Sequence, residues 1–147
     1  MTATNHAVTG ALIGLTLHNP WIALPVALLS HIACDMIPHF GQSDNWLKKR
    51  SFMRYLMVDA SLCIALVGLL FVLKPPYWQL ASVCALVATS PDFLWVRHLM
   101  VVRHGKPYKP SWLESFLSWI QWFERPIGAY VELVWFVGAG FLLWQFL

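Results

Sequence analysis

The sequence predicts an all-α integral membrane protein, a single domain spanning 1–147, with about five transmembrane helices and one short interfacial helix. Of its 147 residues, 59% are hydrophobic and only 12% are charged, whereas about a quarter of a soluble domain is charged. The apolar residues form long blocks instead of amphipathic stripes, which indicates that they face lipid. The sequence contains no run of short strands with alternating polarity, as a transmembrane barrel would require.

Five apolar segments carry this prediction. The first ends at His18, two residues before Pro20, and the third at Lys74, next to Pro75; Pro91 interrupts the fourth near its end. The first two are short for a span of roughly 20 residues, so they are either tilted or form a hairpin that does not fully cross. The segments are 4–17, 21–37, 55–73, 77–96 and 127–146.

A polar loop is expected over 97–110, before an interfacial helix. Ser111 followed three residues later by Glu114 is the signature of a capping box, so the helix begins there and runs to about residue 124. Its Trp and Phe residues are mixed with Ser and Gln. This composition is typical of a helix that lies on a membrane surface with its aromatic side towards the acyl chains.

The distribution of Lys and Arg orients the segments. Nine of the ten lie in the connections between segments two and three and between segments four and five. Cytoplasmic loops are enriched in Lys and Arg, so the pattern predicts five membrane crossings with a cytoplasmic N-terminus. The nine are Lys48, Lys49, Arg50, Arg54, Arg97, Arg103, Lys106, Lys109 and Arg125, and the tenth is Lys74.

Four of the seven acidic residues lie within apolar segments. With this orientation they fall in one layer near the cytoplasmic side, together with His6 and His31. Ionisable groups inside a span cost a few kcal/mol, and they usually pair and face the bundle interior. Because carboxylates at one depth repel each other, a divalent cation would stabilise the layer. The four acids are Asp35, Asp59, Asp92 and Glu132.

His31 and Asp35 form the centre of the predicted site. Four residues apart on a helix, they project from one face, and an imidazole and a carboxylate so placed are half of a metal site. His39 follows Pro38, so it is expected at the membrane interface, where a solvated histidine needs no further role. His6, Gly10 and Gly14 also share a helix face, and the two glycines allow a neighbouring helix to approach closely.

Three motifs carry a resemblance to a known family. Asn5-His-Ala-Val-Thr-Gly10, Ser30-His-Ile-Ala-Cys-Asp35 with Pro38-His39, and Ser90-Pro-Asp92 resemble the bacterial inner-membrane family of membrane-bound metal-dependent hydrolases. Members of that family are small, helical and multi-spanning. The resemblance implies metal-dependent hydrolysis, with His6, His31, Asp35 and Asp92 as the matching positions.

We therefore expect a zinc ion held by His31 and Asp35 with one or two of His6, Asp92 and Asp59. A carboxylate that does not bind zinc, Asp59 or Asp92, would be the general base. Asp59 could instead pair with Arg54 or Lys49, and Asp92 could cap a broken helix. The depth of the site favours membrane lipid or another lipid-like substrate, an ester or phosphoester.

Two other functions use the same residues. A small ion- or proton-coupled transporter would need polar residues towards the opposite face, where segments three and five are almost wholly apolar. A non-catalytic scaffold subunit would pair its acids with a partner's basic residues. The composition excludes nucleic acid as a partner, because the basic residues flank apolar spans. The three cysteines lie in apolar segments and indicate packing, and the N-terminus lacks the basic region of a signal peptide.

Overall fold

The computed structural model describes residues 1–41, 50–105 and 107–147, so Lys48, Lys49 and Lys106 lie outside it. The described residues form α-helices and no β-strand, which confirms the all-α prediction. The helices are α1 (Ala3–Leu17), α2 (Pro20–Asp35), α3 (Arg50–Leu73), α4 (Trp78–Thr89), α5 (Asp92–Arg103), α6 (Trp112–Ile120) and α7 (Gly128–Trp144).

The helix boundaries follow local signals, with two corrections. The expected break near Pro91 separates α4 from α5, and the Ser111 side chain and Glu114 form the predicted capping box. The polar loop expected over 97–110 is wrong over its first part, because α5 continues to Arg103; a polar sequence can still be helical, and Asp92 and Arg103 complement the helix dipole at the two ends. The interfacial helix ends at Ile120, before residue 124.

Helix α1 lies at the centre and contacts α2, α3, α4 and α7. Its two glycines let α4 approach closely, as predicted. A Cβ at Gly10 would lie 2.4 Å from the Cys84 carbonyl oxygen, and one at Gly14 would lie 2.5 Å from Ala81 Cα. The close contact buries the face of α1 that begins with His6.

Within the described residues, two stretches are long and apolar enough to cross a membrane: α3, with 24 residues, and Trp78–Arg103, which joins α4 and α5, with 26. Only 11% of the apolar window of α3 is buried inside the protein, whereas the core helix of a soluble protein would be mostly covered. Large side chains such as Ile64 and Val134 are 73% exposed. Soluble monomers rarely expose so much apolar surface, which supports membrane association.

Candidate metal centre

The structure brings His6 of α1 to the His31–Asp35 pair of α2. His6 Nε2 lies 3.1 Å from Asp35 Oδ1, and His31 Nε2 lies 3.2 Å from Asp35 Oδ2. One ligand atom from each of the three residues lies within 4.8 Å of the others, and all three side chains are buried. Two neighbouring ligands of tetrahedral zinc, with bonds of about 2.0–2.1 Å, are roughly 3.3 Å apart. The two His–Asp35 separations are close to that value.

A backbone contact orients the His31 ring. Its Nδ1 lies 2.8 Å from the carbonyl oxygen of Ala88 in α4, so Nδ1 carries the proton and donates a hydrogen bond to that oxygen. In the neutral ring, Nε2 then carries a lone pair that faces the Asp35 carboxylate oxygen. Two such acceptor atoms require a proton or a cation between them. Metal-binding histidines are usually held in this way by a second hydrogen bond.

A buried polar atom without a partner also fits a cation. Asp92 Oδ2, beside the cluster, is buried and has no hydrogen-bond partner in the described part of the chain. Such an atom costs free energy that a ligand would recover. Two imidazoles and a carboxylate are ligands that zinc prefers in proteins. The residues present therefore fit a divalent metal.

Asp92 lies beside the cluster and not within it. It is the first residue of α5, and its Oδ1 is 4.0 Å from His31 Nε2. Its side chain is 28% exposed and lines a cavity of about 380 Å³. Clefts that bind small molecules typically measure roughly 300–1,000 Å³. Asp92 thus lies between the buried cluster and a cavity of this size.

Two of the predicted acids bind the amino-terminal end of α1. Asp59 accepts hydrogen bonds from the backbone N–H groups of Ala3 and Thr4, both at 2.9 Å. Glu132 accepts from the backbone N–H groups of Thr2 at 3.1 Å and Phe40 at 3.0 Å. The first N–H groups of a helix lack partners within the helix, and this end carries positive partial charge. These contacts account for both buried carboxylates.

The expectation that His39 is solvated at the interface is wrong. It is only 2% exposed, and its Nδ1 donates to the carbonyl of Ile37. The loop after α2 packs against the connection from α6 to α7, where Arg125 N–H donates to the His39 carbonyl at 3.0 Å. Gly128 permits this contact, because a Cβ there would lie 2.1 Å from the same carbonyl oxygen.

Two groups at the site were not predicted from the sequence. Gln121, directly after α6, donates from Nε2 to Asp35 Oδ2 at 3.0 Å, and the Met1 amino group lies 2.5 Å from Asp35 Oδ1. Gln121 is 86 residues from Asp35 and belongs to no motif. A polar residue next to the end of an interfacial helix was the only available signal.

The fold and the cluster define a class: a helical protein whose described residues include two stretches long and apolar enough to cross a membrane and a buried His–His–Asp group at metal-binding distances. The chain matches no family model, no curated protein and no solved structure. The resemblance to membrane-bound hydrolases therefore rests on its three motifs.

Proposed function

We propose that this protein is a membrane-embedded, metal-dependent hydrolase whose metal, zinc, is held by His6, His31 and Asp35. The observation that carries the proposal is the His31 ring, whose Nδ1 faces the Ala88 carbonyl while Nε2 faces Asp35. A ring oriented in this way presents a lone pair to a carboxylate, and a divalent cation between them stabilises both.

The proposed protein crosses a bacterial inner membrane five times, with its N-terminus in the cytoplasm. The Lys and Arg distribution supports this orientation, and the exposed apolar surfaces of α3 and α7 support contact with lipid. Helix α6 lies along the interface, with Trp112 81% and Trp119 66% exposed. The metal centre then lies towards the cytoplasmic leaflet.

The metal and the residues around it have different roles in the proposed hydrolysis. A bound zinc ion would lower the pKa of a water molecule towards neutrality and polarise the bond to be cut. Asp92 accepts a proton and returns it to the leaving group, since its Oδ2 has no hydrogen-bond partner in the described residues and its side chain lines the cavity. Asp59 is less suited to this role, because the start of α1 already donates to both of its oxygens.

The cavity favours a substrate with apolar and polar parts. Its wall includes Tyr55, Trp95 and Leu99 beside Asp92 and Gln121. Such a lining binds acyl chains while a few polar groups orient the reacting bond. An ester or phosphoester of a lipid-like molecule has both features.

Metal analysis of the purified protein tests the proposal. Wild type loaded with zinc and then dialysed should keep bound zinc, while Asp35→Ala and His31→Ala should lose it. His18→Ala, which removes a histidine at the far end of α1, is the matched control and should keep the metal. Zinc-dependent cleavage of a p-nitrophenyl acyl ester should be absent in Asp92→Asn. Wild type without bound zinc would refute the proposal.

A further inference from the structure

Asp35 is the residue on which the buried contacts of the centre converge. Its Oδ1 faces His6 Nε2 and the Met1 amino group, and its Oδ2 faces His31 Nε2 and Gln121 Nε2. Asp35 itself is completely buried. Its orientation therefore depends on these four neighbours and not on water.

Gln121 differs from the other three neighbours. The imidazoles and the amino group are ionisable nitrogens, and each can exchange its contact with Asp35 for a metal or a proton. The Gln121 amide nitrogen donates only hydrogen bonds. The reversed amide would bring two acceptor oxygens together, so the donating orientation is the favourable one.

The chain holds Gln121 in place from both sides. It directly follows α6, where Leu117 and Ile120 are buried, and Trp122 Nε1 contacts the Met36 carbonyl at 3.4 Å. Two consecutive residues thus contact two consecutive residues at the end of α2. The end of the interfacial helix is thereby attached to the metal-binding end of α2.

We infer that Gln121 is a positioning residue whose hydrogen bond to Asp35 Oδ2 fixes the orientation of this carboxylate as a metal ligand. The inference rests on the proposed function, because it concerns the ligand geometry of the same centre. Outer hydrogen bonds to metal ligands typically contribute about 10- to 100-fold in metal affinity. Gln121 would supply that contribution from the end of α6, the proposed interfacial helix.

Cobalt(II) and zinc binding to the full-length protein in detergent test the inference. Gln121→Met keeps the length of the side chain without its donor, and Gln79→Met, at an exposed position in α4, is the matched control. Zinc affinity, measured by chelator competition, should fall about 10- to 100-fold in Gln121→Met. Its visible cobalt spectrum should also shift, because the Asp35 carboxylate can then rotate and change the coordination geometry. The melting temperature of the metal-free protein should stay close to that of wild type.

The outcomes separate the two hypotheses. Wild-type affinity and spectrum in Gln121→Met, with binding abolished in Asp35→Ala, would overturn the inference and leave the metal centre intact. Absence of metal from wild type would overturn both. If Gln121→Met does not fold, Gln121→Asn replaces it, since its shorter amide cannot reach Asp35, and the same loss of affinity is expected.

Discussion

His6 and His31 come from different helices, and their imidazole rings stack with centroids 4.0 Å apart and planes inclined by 24°. Two positively charged rings at this distance would repel each other. The stack therefore favours at least one neutral imidazole, the form in which histidine binds metals. The same contact fixes the angle at which both rings approach Asp35.

Replacing His6 with phenylalanine separates stacking from metal binding. His6→Phe keeps an aromatic ring against His31 and removes both nitrogens, so we expect zinc affinity to fall by more than about 100-fold with little change in melting temperature. His18→Phe is the control, because His18 stacks on Tyr77 at 4.1 Å in a similar geometry far from the site. Equal zinc affinity in the two variants, measured by chelator competition, would exclude His6 as a ligand.

Adding one methyl group to Gly10 should destabilise the protein. The new Cβ would lie 2.4 Å from the Cys84 carbonyl oxygen and force α1 away from α4, at a cost of about 1–3 kcal/mol. Gly68→Ala in α3 is the matched control, because no heavy atom lies within 4 Å of its Cβ position. Unfolding by a denaturing detergent measures the difference. A stability change as small as that of Gly68→Ala would contradict the close contact.

The parts of the site that follow from local spacing were predictable. His31 and Asp35 lie one helical turn apart, Ser111 and Glu114 form a capping box, and Gly10 marks a close helix contact. Each of these features depends on residues within a few positions of one another. Hydropathy blocks likewise predicted most helix boundaries, because proline and polar residues interrupt the apolar segments.

The parts that depend on distant segments were not predictable. Gln121 donates a hydrogen bond to Asp35, 86 positions away, and Glu132 accepts one from the backbone N–H of Phe40, 92 positions away. His39 is buried because the loop after α2 packs against Gly128, and sequence spacing contains no information on that contact. Asp59 was expected to bind the metal or act as general base, with pairing to a basic residue as the alternative, yet the start of α1 offers it backbone N–H groups.

Removing the carboxylate of Asp59 should loosen the beginning of α1. Asp59→Ala leaves the N–H groups of Ala3 and Thr4 without their acceptor, and loss of such a cap costs about 1–2 kcal/mol. Asp59→Asn keeps one acceptor oxygen and should lose less. Thermal unfolding in detergent measures these losses. The melting temperature should be highest for wild type, lower for Asp59→Asn and lowest for Asp59→Ala. An Ala variant as stable as wild type would show that water replaces the carboxylate at no cost.

Single-cysteine labelling tests the proposed topology. In a variant with Cys34, Cys63 and Cys84 replaced by alanine, Lys74→Cys should react with a membrane-impermeant maleimide in intact cells. Lys109→Cys, in a connection expected in the cytoplasm, should react only after the cells are opened. Both lysines are exposed, so access differs only through the membrane. Labelling of both from outside would refute the five-crossing arrangement.

Acid should weaken the start of α6 through Glu114. Hydrogen bonds from the Tyr108 hydroxyl and from Ser111 lower the pKa of Glu114 from 4.5 to about 2. Because the folded pKa is the lower one, its stabilisation is complete above pH 4.5 and is lost as the pH falls towards 2. The melting-temperature difference between wild type and Glu114→Gln should be constant from pH 7 to about 5 and shrink below that. Tyr108→Phe removes the principal cause of the shift, so the folded pKa of Glu114 lies closer to its unfolded value. The acid-induced loss of stability should then be smaller and should end at a higher pH than in wild type. A difference that does not vary with pH would contradict this assignment.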